Sequence, residues 1–239
     1  MKRQLSLLMS VSIIAGSLMN QSARAVPVTP TSPLVSLPGA TFGGTGIPNT
    51  SVAVATSGNA TIGLSASARF EDPAVTDDGM GTFFAAAGND AAQGQPGYAK
   101  FNFNWYASGG PGYYAKLLYD LDPAFNNDIS TMKSLGEVAL SGSTIQDSWN
   151  NGMAFLLTGL PLGGGPFNPN IAGEYSYGMQ LLNSDHVVVA ATYINVQTGS
   201  PRTGTSVPET GASWVYLGLG LIGIVGVSRT LKRKEVVAS

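Results

Sequence analysis

Through the middle of the chain, apolar runs of strand length alternate with short clusters of glycine, asparagine and aspartate. The runs fall at residues 51–56, 61–70, 82–87, 98–107, 113–119, 135–140, 174–182 and 187–196. Around Phe101 the alternation has period two. Ala99, Phe101, Phe103 and Trp105 share one face, and Lys100, Asn102 and Asn104 take the other, which is the mark of a half-buried strand. One stretch, residues 148–158, fits a short helix, with Asp147 placed as its N-cap. Turn residues punctuate the runs at sandwich-like intervals. The pattern predicts an all-β fold, an antiparallel β-sandwich. Its last two runs, joined at Asn183-Ser184-Asp185, form an immunoglobulin-like closing hairpin. The segment Ala172-Gly173-Glu174-Tyr175-Ser176-Tyr177 has the G-x-Y form of a tyrosine corner, in which the tyrosine hydroxyl ties back to nearby backbone.

The flanks are organised differently. Residues 26–48 carry Pro27, Pro30, Pro33, Pro38 and Pro48 among Thr, Ser and Gly, a composition that favours extended, unpacked chain. They are read as a linker before a domain spanning 49–197, with a second linker at 198–206.

Both ends look like addresses. Lys2 and Arg3 precede an apolar run that closes on Ala23-Arg24-Ala25. A basic start, a short apolar middle and small residues at Ala23 and Ala25 describe a secretory signal peptide over 1–25, with Val26 as the new N-terminus after cleavage by signal peptidase. Near the other end, Val207-Pro208-Glu209-Thr210-Gly211 is followed by seventeen uncharged residues, 212–228, and then by Arg229, Lys232, Arg233 and Lys234. As a helix the uncharged stretch rises about 25 Å, enough for a thin hydrocarbon core. Its basic flank marks a cytoplasmic stop, and Lys2 and Arg3 assign the same side to the N-terminus. Everything between is expected outside the cytoplasm.

Motif, glycine-studded helix and basic tail, over 207–234, together resemble the sorting signal of the PEP-CTERM family, in its VPDSG or VPDTG form. Here Glu209 stands where that form has Asp. The resemblance implies an exosortase-like processing partner acting at Val207, Pro208, Glu209, Thr210 and Gly211. The protein would be an inner-membrane precursor first, then a cell-surface or extracellular protein. The same five residues also approach the L-P-x-T-G signal of sortases, with Val207 in place of leucine, and a plain membrane anchor is the remaining alternative. Within the domain, 120–123, 147–150 and 167–177 resemble segments of secreted PEP-CTERM proteins to which no activity attaches.

Composition narrows the chemistry. Charged residues make up 11% of the chain, against about 25% in ordinary domains. Residues 26–207 hold five cations against twelve acidic residues, a net charge of −7. Five scattered cations do not neutralise a row of phosphates, which argues against nucleic acid. There is no cysteine, so disulfides, thiolate metal sites and cysteine nucleophiles are excluded.

His186 is the only histidine; it flanks a turn beside Asp185 and is read as a solvated turn residue. Ser130-Thr131-Met132-Lys133 matches S-x-x-K, but Gly136 interrupts the helix that motif requires, and the match is read as coincidence. Asp120, Asp122, Asn126, Asn127 and Asp128 crowd oxygen atoms into nine residues. They are read as a polar turn whose side chains cap their own backbone, with calcium at Asp120, Asp122 and Asp128 as the alternative. No pair of carboxylates stands out for glycoside hydrolysis. Tyr98, Trp105, Tyr106, Tyr113, Tyr114 and Trp149 are candidates for stacking on sugars. The expectation is a non-catalytic exported surface or matrix protein without a cofactor, associated with exopolysaccharide. A carbohydrate-binding module and a secreted hydrolase are the alternatives.

Overall fold

The computed structural model describes residues 26–70, 73–125, 127–157 and 167–199. The strands are β1 (Ala53–Ser57), β2 (Ala60–Ala68), β3 (Thr76–Asp77), β4 (Thr82–Ala85), β5 (Asn89–Asp90), β6 (Gln95–Ala99), β7 (Phe101–Ser108), β8 (Tyr114–Asp120), β9 (Lys133–Ala139), β10 (Ile145–Trp149), β11 (Gly173–Leu182) and β12 (Val188–Thr198). Among the described residues the one α-helical piece is a single turn, α1 (Ala154–Leu157), and no helix there is long and apolar enough to cross a membrane. The expected span at 212–228 lies outside the described residues, as do the expected signal peptide and the processing motif.

Two sheets carry the fold. One has the order β1-β2-β7-β10, all antiparallel; the other runs β3-β4-β12-β11-β8-β9, and β5-β6 form a separate ribbon. The inward residues of the two sheets share one core, in which Ile62, Leu64, Phe101 and Phe103 meet Tyr175, Tyr177, Met179, Leu181, Ile194 and Val196. Phe103 stacks on Tyr177 with ring centroids 4.3 Å apart, a geometry that adds to simple area burial. The period-two alternation read around Phe101 therefore marks the core face of β7. The expectation of purely antiparallel pairing needs a correction at one edge, because β4 runs parallel to β12. After β2 the chain leaves the first sheet and reaches β12 from outside the hairpin, where it lies alongside the strand.

The closing hairpin is long, with one register shift between Leu181 and Leu182. β11 and β12 pair from Gly173↔Thr198 to Leu182↔Val188, and the Tyr175 hydroxyl donates to the Ile171 carbonyl at 3.0 Å, as the G-x-Y pattern predicts. Burial pushes the Tyr175 phenol up to about 12. At Gly178 the ring of Tyr193 crosses the strand so closely that a Cβ would meet it at 2.7 Å, so only glycine lets the ring lie flat there.

Residues 26–48 are not a linker. They form a strap that covers both outer faces of the sheets. Val28 N–H donates to Asn127 O, Thr31 N–H to Tyr193 O, Leu34 N–H to Gly79 O and Val35 N–H to Val52 O. Further on, Thr41 and Phe42 N–H groups both donate to Gln146 Oε1, at 2.8 and 2.7 Å. Phe42 is 0% exposed and packs with Ala40, Val52 and Tyr106 in a second small core on the back of β7. The prolines are compatible with this because their residues run extended and most of the bonds come from their neighbours. The composition was sound evidence for extended chain, but it carried no information about what lay beneath.

Two further expectations are corrected. Residues 148–158 do not make one helix, because Ile145–Trp149 is the edge strand β10, paired to β7. Asp147 lies in that strand, and its carboxylate takes the Ser148 N–H and the Trp149 indole N–H, both at 2.8 Å, leaving no N-cap role. The stretch 98–107 is two strands broken at Lys100, because Asn150 binds the backbone on both sides of the break. The linker expected at 198–206 also begins late: Thr198 is still paired in β12 and Gly199 N–H donates to Ala85 O.

Candidate functional site

Each acidic residue of the 120–128 loop turns out to serve its own backbone. Asp120, at the end of β8, accepts from Asp122 N–H at 2.9 Å, and Asp122 accepts from Ala124 N–H at 3.1 Å. Asp128 caps a 3-10 turn (Ile129–Thr131) by accepting from Ser130 N–H at 2.9 Å. Burial raises the Asp120 carboxyl, and the bond from Ser130 N–H lowers that of Asp128. The loop does not bring Asp120, Asp122 and Asp128 together: among the described residues no three His, Asp or Glu side chains gather in a way that could hold a metal ion. Asn126 lies outside the described residues.

Behind this loop sits a polar row that the sequence did not reveal. Asn127 donates to Ser176 Oγ at 2.7 Å, and Ser176 donates to Asn195 Oδ1 at 2.8 Å. Glu174 accepts from Gln197 at 2.9 Å, and burial raises its carboxyl. Val28, itself buried, donates its N–H to the Asn127 carbonyl beside this row. Period two on β11 places Glu174 and Ser176 on one face, and both are buried.

The stacking candidates separate sharply. Tyr106 is under Phe42, Tyr98 lies 4.4 Å beneath the Arg69 guanidinium, and Tyr114 stacks against His186 at 4.6 Å. The Tyr113 hydroxyl fills the space above Gly58. Trp105 and Trp149 remain as a contiguous pair, with ring centroids 5.0 Å apart, and Trp149 meets Phe155 at 4.9 Å. Trp105 and Trp149 are half-buried and pack against the main core at the β10 edge of the first sheet, and of the three rings Phe155 is the exposed one, at 41%. Trp149 is doubly fixed, by Phe103 edge-on at 6.1 Å and by Asp147 on its indole nitrogen. The part of this cluster left uncovered, with Phe155 outermost and a carboxylate adjacent, is a rigid surface on which a flat apolar or sugar face can stack at little entropic cost. Phe155 and Asp147 were missed from sequence because one was read inside a helix and the other as its cap.

His186 is not simply solvated. Its Nδ1 lies 2.6 Å from Glu137 Oε2, so an ion pair forms when the ring is protonated. The backbone at His186 has φ 58°, the left-handed turn position that closes the hairpin. Ser130 and Lys133 fall on a 3-10 turn and on the start of β9, so no long helix presents the S-x-x-K serine. Ala23, Ala25, Val207, Pro208, Glu209, Thr210, Gly211, Arg229, Lys232, Arg233 and Lys234 lie outside the described residues.

The two ends of the folded region lie at the same end of the sandwich. Val26 N–H donates to Asp128 and Val28 to Asn127, whose side chain reaches Glu174 O at 3.3 Å. Gly199 follows Thr198, the partner of Gly173. The β11–β12 turn with His186 is at the far end, about 35 Å away along an eleven-residue strand. No family model matches the chain, and a search of curated proteins returned no match.

Proposed function

We propose that this protein is a non-catalytic, exported β-sandwich of the cell surface or extracellular matrix, made as a precursor held by both ends and released by cutting at each. The supporting observation is that Val26 and Gly199 leave the same end of the domain. Two membrane-inserted segments with cytoplasmic basic flanks require that arrangement. The tight hydrogen-bonding of Val26 also fits a domain that begins at the residue following Ala25. On this reading the sandwich is immunoglobulin-like in its closing hairpin, and the tail is read by an exosortase-like enzyme.

Proline fixes its own φ and disfavours a helical residue before it, so Pro208 suits 207–211 to recognition as a processing motif. Changing Pro208→Ala, or replacing Thr210 and Gly211, is expected to leave full-length protein in the inner membrane with its domain folded. Intact mass of the protein from its own host checks this. The reading fails if the wild-type mature chain still ends at Ser239.

A second reading, a carbohydrate-binding module, rests on the Trp105–Trp149–Phe155 ledge. Trp149→Ala is expected to weaken retention on polysaccharide gels about tenfold or more, as loss of a central aromatic anchor does. Affinity electrophoresis with Tyr98→Ala as control checks it, and equal retention of all three proteins ends this reading.

A further inference from the structure

The start of the strap is fastened with unusual economy. Val26 N–H donates to Asp128 Oδ1 at 3.1 Å, and Ser130 N–H donates to the same oxygen at 2.9 Å. In return Ile129 N–H donates to the Val26 carbonyl at 3.0 Å, and Pro27 forms a β-bridge with Asp128. From there the strap binds Asn127 through Val28 N–H and reaches Tyr193, where Thr31 exchanges two bonds with its backbone.

While a residue precedes Val26, its nitrogen offers Asp128 one neutral N–H. Hydrolysis of the Ala25–Val26 bond adds one water: the hydroxyl goes to the Ala25 carbonyl carbon and a proton to the Val26 nitrogen. At neutral pH the amine takes up a further proton from solvent and is an ammonium. A nitrogen 3.1 Å from a carboxylate oxygen is then within ion-pair distance. We propose that signal-peptide removal creates an ion pair between the Val26 ammonium and Asp128, and that this pair fastens the strap over the six-stranded sheet. The inference rests on cleavage after Ala25.

The other charged groups on the surrounding elements are Lys116, Asp120 and Asp122 on and after β8, Lys133 and Glu137 on β9 and Glu174 on β11. Lys133 bears on Asp120. Among the described residues the ion pairs are Arg69–Asp90 and His186–Glu137, and neither takes Asp128, whose carboxylate has the Val26 nitrogen at 3.1 Å. A pair of this kind raises the amine's pKa and lowers that of the carboxyl. Its contribution is present below the amine's ordinary value of about 7.7–8.0 and lost as pH rises through the raised folded value. It is equally lost as pH falls through the lowered value of Asp128.

The test uses the chain from Val26 to Ser239 in detergent, released with a free Val26 amine from a cleavable fusion. It is compared with the same chain extended by Ala25 and with Asp128→Asn. After ¹³C-methylation of the amine, its NMR titration is expected above the ordinary range in the first chain and within it in Asp128→Asn. Hydrogen exchange at Val28 and Thr31 is expected to be about two- to fivefold faster in the Ala25-extended chain, the size expected of an exposed pair. The extended chain keeps Asp128 and its cap on Ser130, so it separates the ion pair from the turn. An amine that titrates normally, with equal exchange in all three chains, overturns the proposal. N-terminal sequencing of the exported protein is read separately. A start other than Val26 overturns the cleavage reading, whereas a Val26 start with an ordinary amine overturns the ion pair alone.

Discussion

An Asn150→Ala variant is expected to lose about 3–5 kcal/mol of stability, the range seen when a buried hydrogen-bonded network is broken. Asn150 is 0% exposed. Its Oδ1 accepts from Ala99 N–H at 2.9 Å and Gly152 N–H at 3.0 Å. Its Nδ2 lies 2.9 Å from Ala99 O, 2.8 Å from Phe101 O and 2.9 Å from Asn102 Oδ1. These backbone groups are exposed by the break between β6 and β7, so no ladder partner can replace the side chain. Alanine would leave several of them buried and unpaired, each costing about 1–3 kcal/mol before relaxation or water entry. For a domain of this size the melting temperature should fall by about 2–4 °C per kcal/mol. Thermal unfolding followed by far-UV circular dichroism measures it. A drop of less than about 3 °C would mean that this asparagine is not what joins the two strands.

Phe42→Ala is the second large effect, and it decides whether residues 26–48 belong to the folded domain. A buried phenylalanine cut to alanine costs about 3–5 kcal/mol, whereas the same change in an unpacked linker costs nearly nothing. Phe42 sits on Tyr106, Ala40 and Val52, and its N–H is held by Gln146. The urea midpoint should therefore fall while the slope of the transition stays near wild type, since the cooperative unit loses packing and keeps its surface. An unchanged midpoint would return the strap to the status of a linker.

Much of this fold can be read directly from the chain. Alternation over Ala99, Phe101, Phe103 and Trp105 identifies a core face, because on a strand the side-chain period is a local property. Gly173-Glu174-Tyr175 likewise announces the tie from Tyr175 to Ile171, whose partners are four residues apart. The absence of cysteine and the scarcity of cations restrict the chemistry whatever the fold.

Tertiary structure alone decided the rest. Extended, proline-punctuated chain looks the same to the eye whether it floats or lies across a sheet; Thr41 and Phe42 meet Gln146 across 105 and 104 residues of sequence. Residues 148–158 read as a short helix behind Asp147, but pairing of Ile145–Trp149 with β7 makes its start an edge strand. The oxygen-rich loop at 120–128 could have turned its carboxylates inward to a cation, but each found a backbone N–H of its own within two residues. Of six aromatic candidates, four were taken up by partners distant in sequence, and Trp105 and Trp149 came together only because β7 and β10 are neighbours. Outside that loop, the deciding energy came from contacts between distant segments. A strand's own residues fix which face is apolar, but only the chain packed against that face determines whether it is buried, and under what.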